Sequence, residues 1–297
     1  MLKNNVKKTI TAIILLISIS SLSPLLTTTN ATTLSTNSSS ISKSITSTKI
    51  INAKTYKLNV TGASDTASAF QKMINSFPSG TSIKLPRGKY KFSNTIRLKN
   101  GMKLIASNDV VIIGTGKNTL FSTGNSNSFQ GIEFQNCATA LSVFQKKGLN
   151  VMSCRFTNNI HYAAINFYGA SSSSVTNSYF YDIHKYGILI DNNSSNVIIS
   201  KNNFNNAKVF AGYRYAQISG HVYCLSGTKI YVTNNIIKNS GGQGIIFSYN
   251  SATKKGTTHS VASNNQCISN GQEGITTYGG NKKLSSFNTI TNNTCGK

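Results

Sequence analysis

The feature that most constrains this chain is that it repeats itself. The stretch "NNIIKNSGGQGIIFSYN" (234–250) is followed by "NNQCISNGQEGITTYGG" (264–280) with its parts in the same order: an Asn-Asn pair, a polar turn, Gly-Ile and a short β-like run. Asn-Asn recurs at 202–203, 234–235, 264–265 and 292–293, in steps of 32, 30 and 28. Upstream, Phe134, Phe156, Phe180 and Phe204 keep the same beat in steps of 22, 24 and 24. Apolar strands read at "AAINF" (163–167), "GILI" (187–190), "GIIF" (244–247) and "GITTY" (274–278). No helical periodicity runs through this region. One such unit cannot bury its own apolar side, but stacked units can, each pairing its backbone with the next. The pattern predicts an all-β solenoid of parallel coils, a parallel β-helix. The Leu spacing of a leucine-rich solenoid is absent. Asn suits the bends because it tolerates the left-handed backbone, and Asn at equivalent positions can form an amide ladder along the stack.

The segment "SDTASAFQKMINSFPSG" breaks the pattern. Phe70, Met73, Ile74 and Phe77 fall at i, i+3, i+4 and i+7, with Ser64 or Asp65 as N-cap and Pro78-Ser79-Gly80 as stop. This predicts an amphipathic helix over 65–77 that caps the open first coil, with coils running from about residue 80. Ahead of it, "MLKNNVKK" is a basic stretch and "ITAIILLISIS" an apolar one too short to span a bilayer. Residues 1–31 thus read as a signal peptide ending near Ala31, 32–50 as a Ser/Thr-rich linker, and 51–297 as the folded domain. The expected location is secreted, extracellular or at the cell surface, with no membrane span after cleavage. "FNTITNNTCGK" begins a further coil and stops, which reads as a truncated end.

"GASDTASAFQKMINSFPSGTSIKLPRGKYKFSNTIRLKNGMKLIAS" (62–107) resembles the opening segment of the pectate lyase superfamily of right-handed parallel β-helices. That family shows an acidic pair followed by Thr, then L-P-x-G-x-Y. Asp65-Thr66 and Leu85-Pro86-Arg87-Gly88-Lys89-Tyr90 match, with Ser64 in place of the first acid. The resemblance implies a right-handed coil and a carbohydrate-active protein over roughly 60–297. Lyases, glycosidases, epimerases and phage tailspikes share that fold, so the fold alone selects no reaction.

Charge narrows the partner. The formal net charge is +24, falling to +21 once Lys3, Lys7 and Lys8 are removed. The only acids are Asp65, Asp109, Glu133, Asp182, Asp191 and Glu273. Such an excess favours polyanions, and an acidic polysaccharide is the expected partner. The charges are scattered, and no nucleic-acid motif accompanies them; "GTGKNT" (114–119) lacks the ending of a phosphate loop. The oligomeric state is left open. The five cysteines, Cys137, Cys154, Cys224, Cys267 and Cys295, are odd in number and hold no C-x-x-C, which argues against a disulfide framework or a zinc site. Cys267 and Cys295 occupy the same place in consecutive repeats. Stacked strands would bring them near disulfide geometry, but two buried thiols in a column is the plainer reading.

Insertions in a solenoid map to loops, and the longest irregular stretch is 205–227. His161, His184 and His221 fall in or just before it, with Asp182, Asp191, Lys185, Lys208, Arg214 and many tyrosines. Aligning coils stacks Asn158 near Asp182 and His161 near His184. Glycoside hydrolysis needs two carboxylates across the cleaved bond, and acids are scarce. β-Elimination or C5 epimerisation needs less: a cation to neutralise the uronate carboxylate and a base for the C5 proton. The expected catalytic residues are therefore His184, oriented by Asp182, with Arg214 or Lys208 on the carboxylate. His161, Tyr186, Tyr213, His221 and Asp191 are the expected substrate contacts, through aromatic faces and polar groups. "Asp182-Ile183-His184" is a partial echo of the Asp-Pro-His of related epimerases, without the Pro. No metal site is assigned; a calcium ion would have to draw on Asp182, Asp191 and Asn192. The reading leans towards a polysaccharide lyase-like enzyme. The alternatives are a non-catalytic β-solenoid binding cell-surface glycan, and a phage tailspike-like protein.

Overall fold

The computed structural model describes residues 48–52, 54–207, 220–279 and 284–296. They form a right-handed β-solenoid of about nine turns with one short helix. Each full coil lays down three strands, and successive coils add to three parallel sheets. A coil such as 171–193 shows the plan: Ser171–Thr176 joins the first sheet, Tyr179–Ile183 the second, Tyr186–Asp191 the third. Two-residue corners separate them.

The core is three inward columns held in register. The first sheet contributes Ile83, Leu104, Phe129, Val151, Val175, Ile199, Val232 and Ala262. The second contributes Tyr90, Ile112, Phe134, Phe156, Phe180, Phe204, Ile237 and Cys267. The third contributes Ile96, Phe121, Leu141, Ile165, Ile188, Val222 and Ile245. The repeated phenylalanines stack face to face, with centroids 5.0 Å apart for Phe134–Phe156, 4.8 Å for Phe156–Phe180 and 4.3 Å for Phe180–Phe204. In-register stacking follows from parallel pairing, which sets identical residues one coil apart.

The Asn ladder stands at the first corner, between the first and second sheets. Asn202, Asn235, Asn265 and Asn293 are neighbours up the stack. Each of the last three accepts, through Oδ1, the backbone N–H and the Nδ2 of the one before, at 2.9–3.1 Å. Each Nδ2 also donates to a backbone carbonyl of the preceding coil: Val175, Ile199, Val232 and Ala262. The residue before each is left-handed: Lys201 (φ 57°), Asn234 (57°), Asn264 (55°) and Asn292 (52°). The register therefore sets Lys201-Asn202, not Asn202-Asn203, against Asn234-Asn235. The apparent pair at 202–203 is offset by one because Asn203 starts the next strand, opposite Ile236.

The helix spans Ala67–Ser76 and buries Ala67, Phe70, Met73 and Ile74. Its N-cap is Thr66, not Ser64 or Asp65. Asp65 instead accepts from Ser93 N–H at 2.7 Å, Ser93 Oγ at 2.9 Å and Ala67 N–H at 3.3 Å, tying the helix start to the coil above. Strands also begin earlier than expected: Thr48–Ile50 pairs with Ser82–Lys84, and Thr61–Asp65 with Gly88–Lys91. The helix thus follows a first-sheet and a second-sheet strand, in the place that third-sheet strands take later. Gln71 completes the substitution. Its Oε1 accepts Arg97 N–H at 2.7 Å and its Nε2 donates to Arg97 carbonyl at 3.1 Å, as a neighbouring strand would. Phe70 packs edge-on to Tyr90, Phe92 and Phe121.

Candidate functional site

The second corner, between the second and third sheets, is less regular than the first. Its left-handed position is held in successive coils by Asn136 (φ 48°), Asn159 (62°), Asp182 (58°), Asn206 (57°) and Asn239 (56°). Asn and Asp are the residues that occupy this conformation most readily after Gly. Asp182 is thus the one acid in a column of asparagines. The coil at Arg155–Tyr168 carries one residue more than its neighbour between Phe156 and Ile160, so both Asn158 and Asn159 are left-handed there.

Just past this corner two imidazoles meet. The His161 and His184 rings lie edge to face with centroids 4.6 Å apart. His184 Nε2 is 3.2 Å from Asn159 Oδ1, and its backbone N–H donates to Ile160 carbonyl at 2.8 Å. Both rings are half-buried. Next along the chain, the Lys185 ammonium sits 5.6 Å from the Tyr162 ring centroid and 5.1 Å from that of Tyr186. Tyr162 stands edge-on to Tyr186 at 5.7 Å, and Tyr186 stacks on Tyr223 of the next coil at 5.2 Å. A strip of two imidazoles, one ammonium and three phenol rings therefore runs along the outer face of the third sheet, with Tyr186 and Tyr223 buried in it and Tyr162, the two imidazoles and Lys185 reaching solvent. Ala163, Leu189 and Ile246 form its apolar floor with Tyr186 and Tyr223. Burial, and secondarily the Asp191 charge, raises the Tyr162 hydroxyl above its ordinary pKa. Burial raises Tyr223 as well. Both phenols therefore stay protonated at neutral pH.

The expected residues divide as follows. His184, His161, Asp182 and Tyr186 come together at this corner. Lys208, Tyr213 and Arg214 lie outside the described residues. Asp191 is at the far end of Tyr186–Asp191, where Asn192 N–H (2.6 Å), Ser226 Oγ (3.1 Å) and Asn250 Nδ2 (3.2 Å) donate to its Oδ1. Asp182 and Asp191 therefore sit at opposite corners of one coil, and among the described residues no three His, Cys, Asp or Glu side chains gather as a metal set.

His221 corrects an expectation. It is fully buried, with Nε2 3.0 Å from the Lys238 carbonyl and its ring 5.6 Å from Phe204. Every residue of its strand, Gly220–Cys224, is buried. Desolvation pushes its pKa down to about 4. It is a neutral core histidine, not a substrate contact. Tyr186 is 4% exposed and is sandwiched, so Tyr162, at 39%, is the ring the strip offers to solvent. Tyr162, Tyr223 and Lys185 were visible in the sequence only as members of an aromatic and basic window. Their pairing follows from the register of the third sheet.

A second aromatic pair lies further along the same face. Phe144 and Tyr168, register partners, stack at 5.3 Å and are 55% and 37% exposed.

Residues 89–218 match the family described as the right handed beta helix region. This match agrees with the coil geometry, and the fold is a right-handed parallel β-helix. No curated protein matches its sequence. Among solved structures it is similar to PfbA, a surface adhesin of Streptococcus pneumoniae, with a TM-score of 0.57 at 14% identity over 84% of this chain and 79% of that one. An alginate lyase from Paenibacillus sp. str. FPU-7 gives a TM-score of 0.56 at 13% identity, over 79% and 95% of the two chains. A mutant tailspike protein of E. coli bacteriophage HK620, in complex with a pentasaccharide, gives 0.57 at 14% identity over 80% of this chain and 54% of the tailspike. At these identities the likeness is one of fold. Among the described residues, no helix is long and apolar enough to cross a membrane.

Proposed function

We propose that the protein is exported and acts on an acidic polysaccharide along the outer face of the third sheet, by β-elimination or C5 epimerisation of a uronate. The observation that carries this is the strip at the second corner, where His161–His184, Lys185 and Tyr162 are brought together from successive coils. Sugar rings stack on phenol faces, and an ammonium pairs with a carboxylate. In this reading Lys185, with Arg214 and Lys208, neutralises the uronate carboxylate and acidifies the C5 proton. His184, positioned by Asn159 and Asp182, takes that proton. A protonated tyrosine of the strip donates to the leaving oxygen. The strongly positive chain draws the polyanion in from a distance. Two similar solved structures, a lyase of alginate and a tailspike holding a pentasaccharide, are in keeping with saccharide chemistry on this fold. The helix serves as the N-terminal cap, with Gln71 satisfying the backbone that the next strand would otherwise leave open.

A second reading has its own support. Asp182 holds a left-handed corner position that asparagine holds in the coils on either side, as a bend residue would. On that reading the strip binds glycan without turnover. Incubation with polygalacturonate or alginate separates the two. Elimination yields a conjugated unsaturated uronate with new ultraviolet absorbance, and epimerisation changes the C5 proton couplings of the polymer. His184→Ala is expected to cut the rate by about 10²–10⁴-fold with little change in thermal midpoint. Binding by the intact chain with neither product would move the assignment to the glycan-binding reading.

A further inference from the structure

Beyond Phe204 and Ile237, the second-sheet column carries two thiols. Ile237, Cys267 and Cys295 are register partners in consecutive coils. Neighbouring strands lie about 4.8 Å apart, and in-register side chains project to the same face. That separation is inside the Cα range of about 4.4–6.8 Å that a disulfide spans. Gly274 closes the space beside them. A Cβ built on it would lie 2.9 Å from Cys267 Cβ and 2.9 Å from Cys295 Sγ, so both side chains pack against one point of backbone. The two thiols also interact directly: burial first, then the neighbouring Cys295, raise the Cys267 thiol to about 12. Accessibility divides the pair. Cys267 is buried and Cys295 exposed, while Cys137, Cys154 and Cys224 are all buried in the core. Cys137 and Cys224 face Ile160 and Ile190 in register, not another cysteine.

We propose that Cys267 and Cys295 are a redox-active thiol pair that closes into a disulfide, clamping the strand Thr294–Gly296 to Gln266–Ile268, with a small-molecule disulfide as oxidant. The exposed Cys295 loses its proton and its thiolate attacks one sulfur of the oxidant. A mixed disulfide forms and one thiol leaves. Cys267 then gives up its proton and attacks the Cys295 sulfur, expelling the second thiol. Two protein thiols are oxidised by two electrons, and one oxidant disulfide is reduced to two thiols that take up both protons. The buried thiol is the resolving partner, because only the exposed one can meet the oxidant first.

The test is to treat the intact chain with oxidised glutathione, alkylate remaining thiols after denaturation, and map peptides by mass. The expected result is one Cys267–Cys295 cross-linked peptide, with Cys137, Cys154 and Cys224 recovered alkylated. Amide exchange across Thr294–Gly296 should slow several-fold against the reduced protein, and Cys295→Ser and Cys267→Ser should each abolish both effects. Recovery of Cys295 as a stable glutathione adduct with Cys267 still a thiol would overturn the proposal. So would a cross-link between chains, or a Cys267–Cys295 bond that leaves amide exchange unchanged.

Discussion

At the first corner of the coil, Asn202, Asn235, Asn265 and Asn293 hand hydrogen bonds from each coil to the next, and the three that begin the ladder are buried. At the second corner, Asn136, Asn159, Asp182, Asn206 and Asn239 hold the left-handed bend, and their side chains lie nearer solvent. The two corners use one residue type in two ways. Where every amide is satisfied by its own kind, the corner is a frame and admits little change. Where the column is broken by an acid, an added residue and two imidazoles, the corner is irregular and the imidazoles reach solvent. In a solenoid the departure from the repeat, not the repeat itself, marks where function can reside.

Breaking the frame should have the largest effect. Asn235→Ala removes the acceptor for Asn202 N–H and Nδ2 and the donor to Ile199 carbonyl and Asn265 Oδ1. Leaving these buried groups unpaired should cost about 4 kcal/mol. Thermal denaturation should show a fall on the order of 10 °C. Asn239→Gly, at the second corner, keeps the left-handed bend and loses one hydrogen bond, from Nδ2 to Asn205 Oδ1. It should stay within about 1 kcal/mol of wild type. Equal losses from the two would erase the distinction between the corners.

The next effect comes from the core side of the second corner. His221 is neutral in the fold, with a pKa of about 4 against an ordinary 6.5. Its folded value is depressed, so its contribution to stability is complete above pH 6.5 and is lost as pH falls towards 4. The expected loss is about 3 kcal/mol across that window. Chemical denaturation as a function of pH should show this slope in wild type and a flatter one in His221→Gln. An identical slope in both would mean that His221 is not the neutral, buried imidazole described.

The smallest expected effect is at the strip itself. Tyr162→Ala removes the exposed ring under Lys185 and should weaken polyuronate affinity roughly tenfold or less, with folding unchanged. Binding of the wild type should also weaken with added salt, as expected for a basic protein meeting a polyanion. Calorimetric titration at two salt concentrations reads both.

The coils and their core were legible because parallel stacking writes itself into sequence as period. Phe134, Phe156, Phe180 and Phe204 had to recur for their rings to stack, and the Asn ladder had to recur to be satisfied. What escaped was anything that depends on register by a single residue. Asn203 looked like a ladder member and is a strand residue. His221 looked like its half-buried counterparts but follows Gly220, in a strand buried along its whole length. The cation over Tyr162 could not be read from spacing, because it joins a corner residue of one coil to a ring of the coil below. The early strands Thr48–Ile50 and Thr61–Asp65 are short and lack the Phe and Asn landmarks.

The most direct test is a crystal structure of the protein with a bound uronate oligosaccharide. The sugar is expected to lie along the outer face of the third sheet, with a carboxylate at Lys185, a ring against Tyr162 and C5 facing His184. A sugar seated instead along the Asn ladder corner, or on the outer face of the first or second sheet, would contradict that placement.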